Sequence, residues 1–289
     1  MGTETSTRKT YCGVIVPMVT PFTTEGELDE PAVRRIIDHL IAGGVQGIFV
    51  LGTTGEGPST PREMRSRLVH LTLDHTAGRV QVYAGAFDNV VSESIEAARD
   101  YLRRGAAAIV AQLPNYYKLA PDQQFQYFST LLDRIKGPIL LYDIPATVHM
   151  SIDPGVIEHL RAFRNVVGIK DTSGDQDRLA ALLESYADDS RFSVLVGTTR
   201  LASYGFDHGA DGFVPSIGNL NPGLCARLFN AAEKGDSALM VSLQREIDTL
   251  QAEVTVEGYL GSTIARLKNR LAQRGLCGPT VLPPLKIAE

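Results

Sequence analysis

Short apolar runs alternate with longer amphipathic segments along most of this chain. Eight of these runs are continuously apolar, as expected for parallel strands that are covered on both faces. The predicted strands are Gly13–Val19, Gly47–Leu51, Val80–Ala84, Ala108–Leu113, Ile139–Tyr142, Val166–Lys170, Ser193–Val196 and Gly212–Val214. The segments between them have helical periodicity, at about 29–42, 61–77, 90–104, 121–136, 154–162, 175–187 and 199–208. The pattern therefore predicts a series of strand–helix units.

The order of these units predicts an α/β fold. Eight strands with intervening helices are typical of a closed (β/α)8 barrel, the TIM barrel. An open doubly wound sheet would usually carry a glycine-rich phosphate loop after its first strand. Here the first strand runs into residues 17–22, PMVTPF, which cannot form that loop. We therefore predict a barrel over residues 1–219.

The strand pattern stops after about residue 220. Helical patterns follow at about 222–234, 236–253 and 258–274. We interpret residues 220–289 as a C-terminal helical extension that packs on the barrel.

Composition and charge exclude several classes of partner. The net charge is −5 and no run of Lys or Arg exceeds two residues, which argues against a nucleic-acid groove or an anionic membrane surface. The three cysteines, Cys12, Cys225 and Cys277, are far apart and form no CxxC motif, as is typical of a reducing compartment. The polar start of the chain lacks the apolar core of a signal peptide. We expect a cytoplasmic protein with neither nucleic-acid nor membrane partners.

Lys170, at the end of the sixth predicted strand, is the first candidate for chemistry. A lysine at the mouth of a buried strand is partly desolvated, which favours the neutral amine. A neutral amine can attack a ketone and form a Schiff base. The alternative, a lysine that leaves its strand and extends into water, is more common for such a residue taken alone. The neighbouring strand ends must therefore decide between the two.

Polar groups follow several other predicted strands, at the end of a barrel where active sites lie. The range Gly52–Glu56, GTTGE, offers backbone N–H groups and two hydroxyls that suit a carboxylate, although a plain turn is the alternative. Tyr142 ends the fifth strand and could move protons beside a Schiff-base lysine, or serve as a core tyrosine. Tyr116 and Tyr117 follow the fourth strand and could equally form an interface pair.

Other chemistries have weaker support. The six histidines form no HxH or HExxH motif, so a metal-dependent aldolase is not favoured. There is no GxSxG motif and no cysteine with a catalytic partner in its context. We expect a site without metal or nucleotide cofactor.

Three motifs, in this order, resemble those of the dihydrodipicolinate synthase / N-acetylneuraminate lyase family of class I pyruvate-handling lyases. They are GTTGE at 52–56, YxxP at 142–145 and GIKD at 168–171, and the resemblance spans nearly the whole chain. It implies that Lys170 forms the Schiff base with pyruvate or another 2-oxo acid and that Tyr142 carries protons.

The resemblance also assigns roles to residues around this pair. It implies that Thr53 links Tyr142 to a tyrosine of a neighbouring subunit, a position that Tyr116 matches, with Tyr117 as the alternative. It further implies a homotetramer. The implied substrate-binding residues are Thr54 with the backbone at Gly52 and Gly55 for the pyruvate carboxylate, and Val214 as a wall of the pyruvate pocket.

Two departures from the family pattern bear on the second substrate. Thr147 stands where dihydrodipicolinate synthases carry an arginine for aspartate semialdehyde, and a threonine cannot replace a bidentate guanidinium. Residues 197–200, GTTR, replace the acidic residues of sialic-acid lyases. The remaining hydroxyl groups, which belong to Thr147, Thr172, Ser173, Thr198 and Thr199, suit a polyhydroxylated chain, and Arg200 could reach a distal carboxylate.

We therefore predict an enzyme that reversibly cleaves a 2-oxo-3-deoxy sugar acid to pyruvate and an aldehyde. The alternatives are a 4-hydroxy-tetrahydrodipicolinate synthase, which joins pyruvate to aspartate semialdehyde, and a related dehydratase that keeps the same lysine. A non-catalytic ligand-binding barrel is a further alternative, because fold alone does not determine function.

Overall fold

Eight parallel strands close into a barrel in the computed structural model, which describes residues 9–288. Each strand pairs with the next along the chain, and the last pairs with the first. The strands are β1 (Gly13–Pro17), β2 (Gly47–Val50), β3 (Gln81–Gly85), β4 (Ala108–Gln112), β5 (Ile139–Asp143), β6 (Val166–Asp171), β7 (Ser193–Val196) and β8 (Gly212–Phe213). The prediction of a (β/α)8 barrel is confirmed.

Helices connect the strands and continue beyond the last of them. They are α1 (Glu30–Ala42), α2 (Arg62–Thr76), α3 (Val91–Arg103), α4 (Pro121–Arg134), α5 (Pro145–Val148), α6 (Pro154–Leu160), α7 (Gln176–Ser185), α8 (Ala202–Asp207), α9 (Pro222–Glu233), α10 (Ser237–Ala252) and α11 (Leu260–Gln273). Helix α1 illustrates their construction: Asp29 caps it by accepting from the N–H of Ala32, and Ile36 and Leu40 bury one face. Among residues 9–288, none of the helices has both the length and the apolar character that crossing a bilayer requires.

Three elements differ from the predicted ones in their boundaries or in their presence. Strand β1 ends at Pro17, two residues early, because the N–H of Val19 donates to the side chain of Asn219 at 3.0 Å. The predicted helix at 199–208 begins as a 3-10 turn over Thr199–Leu201. The short helix α5 follows β5 directly and was not predicted, because four residues carry no periodicity.

The three C-terminal helices follow the closure of the barrel. Asn221 caps α9 by accepting from the N–H of Leu224 at 3.0 Å. Helix α9 contacts β1 and α8, and α10 packs on α9. These contacts join the segment to the barrel, and the division of the chain between residues 219 and 220 stays a prediction.

Candidate active site

Lys170 lies inside the mouth of the barrel and does not extend into water. Its exposed fraction is 4%, and its Nζ atom is 3.8 Å from the centroid of the Tyr142 ring and 5.2 Å from that of Phe49. Lys170 and Tyr142 are in register on adjacent strands. No ion pair among residues 9–288 includes Lys170. The amine is thus placed against aromatic rings without a carboxylate partner.

A bulge in β6 determines where Lys170 points. Val166 pairs with Ile139, but Gly168 pairs with Leu140, so Val167 is an extra residue in the ladder. An extra residue reverses the in–out alternation of the side chains that follow, and such bulges are common beside active sites. Gly168 is required there, because a Cβ atom would lie 2.2 Å from the carbonyl oxygen of Ser193.

Thr53 lies beside the phenol of Tyr142. The Oγ1 atom of Thr53 is 3.4 Å from the Tyr142 hydroxyl, and either atom can donate. Tyr116 lies elsewhere in this chain: it is 78% exposed and packs edge-on against Tyr117, with their ring centroids 4.9 Å apart. The structure therefore brings Lys170, Tyr142 and Thr53 together and leaves Tyr116 on the surface.

The loop Gly52–Gly55, here called the GTTG loop, is flanked by two residues in the left-handed backbone conformation. The flanking residues Leu51 and Glu56 have φ of 61° and 55°, a conformation that is unfavourable for residues other than glycine and that is typical of functional sites. Within residues 9–288 the backbone N–H groups of Thr53 and Thr54 have no hydrogen-bond partner. They are available to a carboxylate.

The GTTG loop is tied to the C-terminal helices through a buried ion pair. Lys268 of α11 and Glu56 are both fully buried, and Lys268 Nζ is 2.7 Å from Glu56 Oε1. The same amine donates to the carbonyl oxygen of Thr20 at 2.8 Å, and Glu56 Oε2 accepts from the N–H of Leu282 at 2.8 Å. Burial lowers the pKa of Lys268, and Glu56 opposes that shift. Sequence reasoning missed this pair, because its partners are 212 residues apart.

Replacing Lys268 with methionine is expected to lower the free energy of unfolding by about 3–5 kcal/mol, because the buried carboxylate of Glu56 loses its partner. Denaturant unfolding measures the change. The double variant Glu56→Gln with Lys268→Met is expected to recover part of the loss, since no buried charge remains.

Arg270→Met is the matched control for this prediction. Arg270 lies on the same helix as Lys268 but pairs with Glu253 at the surface, with side-chain exposures of 43% and 41%. Its loss should cost less than about 1 kcal/mol. Equal losses for Lys268→Met and Arg270→Met would contradict the structural role of the buried pair.

The other predicted substrate-binding residues lie at strand ends around Lys170. Val214 follows β8 and is buried, and its N–H donates to Val196 at 2.8 Å. Thr172 follows β6, and its hydroxyl is buried without a hydrogen-bond partner among residues 9–288. A Cβ atom built on Gly197 would lie 2.0 Å from this hydroxyl and 3.0 Å from Lys170 Cε. The Thr172 hydroxyl and the Lys170 side chain are therefore neighbours.

Four of the remaining polar candidates are engaged with protein groups. Thr147 is half-buried in α5, and its hydroxyl donates to the carbonyl oxygen of Ile144 at 3.3 Å. Ser173 donates to Asp171 at 2.7 Å and Thr199 to Gln251 at 3.3 Å. The exposed Arg200 bonds to the carbonyl oxygen of Gly174, at 2.5 Å. Among the candidate threonines of residues 9–288, Thr172 is the one whose hydroxyl is buried without a hydrogen-bond partner.

Two buried carboxylates lie directly after the two central residues. Asp143 follows Tyr142, Asp171 follows Lys170, and the two are paired in register. Arg178 of α7 joins them, with Nη2 2.9 Å from Asp143 Oδ2 and Nε 3.1 Å from Asp171 Oδ2. Burial raises the pKa of Asp143 to about 6, against the opposing charge of Arg178, and burial also raises the pKa of Asp171.

The raised pKa of Asp143 predicts a pH-dependent effect of Asp143→Asn. Between an unfolded pKa of about 3.9 and the folded pKa of about 6, the native state binds the additional proton. The contribution of Asp143 to stability is therefore present at low pH and is lost as pH rises through 6. The stability of the variant relative to the parent should increase from pH 4.5 to 7, by on the order of 2 kcal/mol. Urea unfolding at several pH values measures the difference, and a constant difference would contradict the assignment.

Known proteins with this architecture match almost the whole chain. The model of the dihydrodipicolinate synthetase family matches residues 10–289. The 4-hydroxy-tetrahydrodipicolinate synthase of Hyphomonas neptunium is 32% identical over 275 residues, which are 95% of this chain and 92% of that protein. The structure of dihydrodipicolinate synthase from Bacteroides thetaiotaomicron has a TM-score of 0.92 and 30% identity, and the match covers 98% of this chain and 95% of that one.

A further structure holds a ligand. YagE, a prophage protein of E. coli K12 in the dihydrodipicolinic acid synthase family, was solved in complex with pyruvate and is 27% identical, with a TM-score of 0.89. The match covers 97% of this chain and 94% of that one. The family model, the relatives and the shared barrel agree, and this chain belongs to the dihydrodipicolinate synthetase family.

Proposed function

We propose that this protein is a class I lyase that forms a Schiff base between Lys170 and pyruvate. The observation that carries the proposal is the buried amine of Lys170, 3.8 Å from the ring of Tyr142, whose hydroxyl is 3.4 Å from Thr53. The neutral amine attacks the ketone carbon to form a carbinolamine, which loses water to give the iminium. Loss of a C3 proton then gives an enamine that attacks an aldehyde, and hydrolysis releases the product and the lysine.

The surrounding residues supply the remaining roles. Tyr142 gives a proton to the departing hydroxyl of the carbinolamine, and its phenolate later takes a proton back from the water that hydrolyses the product imine, with Thr53 holding the phenol. The GTTG loop binds the pyruvate carboxylate through its backbone and Thr54, and Val214 lines the pocket. In the homotetramer that we propose, Tyr116 of a neighbouring subunit extends the Thr53–Tyr142 contact, which accounts for its exposure in the single chain. This reaction uses no metal or nucleotide.

The side chains support an aldehyde with hydroxyl groups as the second substrate, and hence a 2-oxo-3-deoxy acid as the molecule that is cleaved. Thr147 supplies no charge for a carboxylate, and the Thr172 hydroxyl beside Lys170 is unused. The second candidate is 4-hydroxy-tetrahydrodipicolinate synthase. The names of relatives at 30–32% identity favour this candidate more directly than they favour the first.

The first experiment is reduction with borohydride in the presence of pyruvate, followed by intact mass and peptide mapping. A reduced pyruvate adduct on Lys170 is the expected result. No adduct on the folded protein would overturn the proposal and favour a binding protein. Assays of pyruvate with aspartate semialdehyde, and of keto-deoxy acid cleavage, then separate the two candidates: turnover with aspartate semialdehyde alone would establish the second.

A further inference from the structure

Gln112, the last residue of β4, is a buried glutamine whose amide has no partner. Its exposed fraction is 8%, its Oε1 atom is fully buried, and neither amide atom takes part in a hydrogen bond among residues 9–288. The other two buried glutamines in that part of the chain behave differently. Gln124 donates to Ser151 and accepts from Asp153, and Gln244 is bonded at both amide atoms as well.

The strand register places Gln112 in the same row as the reactive lysine. Gln112 pairs with Tyr142, and Tyr142 pairs with Lys170. In-register residues of parallel strands have their side chains on one face of the sheet. Because the Tyr142 ring lies against the amine of Lys170 inside the barrel, the side chain of Gln112 is also on the inner face, on the opposite side of Tyr142.

An unpartnered amide in this position lowers the free energy of unfolding. Burial of such a group without a hydrogen bond destabilises a protein, and native structures contain few examples. A leucine of similar size would avoid that penalty. The Thr172 hydroxyl, on the other side of Lys170, is also buried without a hydrogen-bond partner. Two unused polar groups therefore flank the Lys170–Tyr142 pair.

The chemistry of these two groups indicates what they bind. A primary amide both donates and accepts hydrogen bonds, as does a hydroxyl, and neither carries charge. Such groups match the hydroxyls of a substrate, whereas a carboxylate is best matched by charged donors. We propose that Gln112 is a specificity-determining residue that binds a hydroxyl group of the aldehyde, with Thr172 as a second contact. This inference rests on the proposed Schiff-base function of Lys170.

The test compares two aldehydes that differ in hydroxyl groups, using the full chain and pyruvate. The parent protein is expected to use glyceraldehyde, as either enantiomer, at least about 10-fold better than propanal in kcat/KM. Gln112→Leu should lower kcat/KM for glyceraldehyde about 10-fold and leave that for propanal within about 2-fold. The borohydride adduct of pyruvate on Lys170 should form equally in both proteins. Gln112→Met replaces the leucine variant if the latter does not fold.

Gln124→Leu is the matched control, because it removes an amide of similar burial that is fully bonded and lies in α4. It should lose stability and keep the parent's preference between the aldehydes. If the adduct forms but Gln112→Leu leaves that preference unchanged, or slows both aldehydes equally, the role of Gln112 is overturned and the Schiff-base proposal stands. If the parent forms no adduct, the Schiff-base function itself fails.

Discussion

Replacing Lys170 with alanine is expected to abolish turnover, because the imine nitrogen belongs to this side chain and the other buried lysine among residues 9–288, Lys268, is paired with Glu56. The reduced pyruvate adduct should disappear with it. The fold should remain, since strand ends at this face of a barrel serve the site more than the core. Removal of a buried amine without an ion-pair partner should leave thermal stability equal or higher. Turnover, adduct mass and thermal unfolding measure the three effects.

Lys136→Ala is the control for this prediction, because Lys136 is exposed and follows α4 at the opposite end of β5. It should keep both activity and adduct. Residual turnover by a folded Lys170→Ala protein at a tenth of the parental rate would exclude the Schiff-base mechanism, whatever the identity of the second substrate.

Replacing Tyr142 with phenylalanine is expected to slow turnover by roughly 10²–10⁴-fold, the usual contribution of a general acid–base group. The ring that packs against Lys170 and Phe49 is retained, so the change isolates the hydroxyl that contacts Thr53. The loss should appear in kcat, with slower accumulation of the borohydride-reducible adduct. Steady-state rates and timed quenching measure the two effects.

Tyr83→Phe provides the comparison, because Tyr83 is also buried and its hydroxyl donates to Gln81 at 2.7 Å, away from Lys170. This variant should lose on the order of 1 kcal/mol of stability and retain kcat. A Tyr142→Phe protein within a few-fold of the parent would leave Tyr142 as a wall of the pocket only.

The elements that were predictable from sequence are those with a local signal. Continuous apolar runs identified all eight strands, because a parallel strand is buried on both faces and its pattern does not depend on distant residues. Lys170, Tyr142 and Thr53 were predictable because strand ends converge at one face once the barrel is assumed.

The features that were missed depend on partners far away in the chain. The bulge at Val167 arises from the register between β5 and β6, and this register cannot be read from the sequence of one strand. The orphan amide of Gln112 is defined by what does not contact it, and its residue type alone resembles any polar strand end. The burial of Lys268 follows from the docking of α11, whereas the sequence shows only a lysine within an amphipathic helix.

The buried pair of Glu56 and Lys268 has a consequence for the order of events during synthesis on the ribosome. The residues after β2 are made early, but Lys268, the partner of the Glu56 carboxylate, is 212 residues later and the N–H of Leu282 is 226 residues later. Contacts of such separation form late in folding. A nascent chain that has completed all eight strands therefore still holds the GTTG loop with an unpaired carboxylate beside it. The segment that carries the GTTG loop therefore gains its buried partners only after the last helix has emerged and docked.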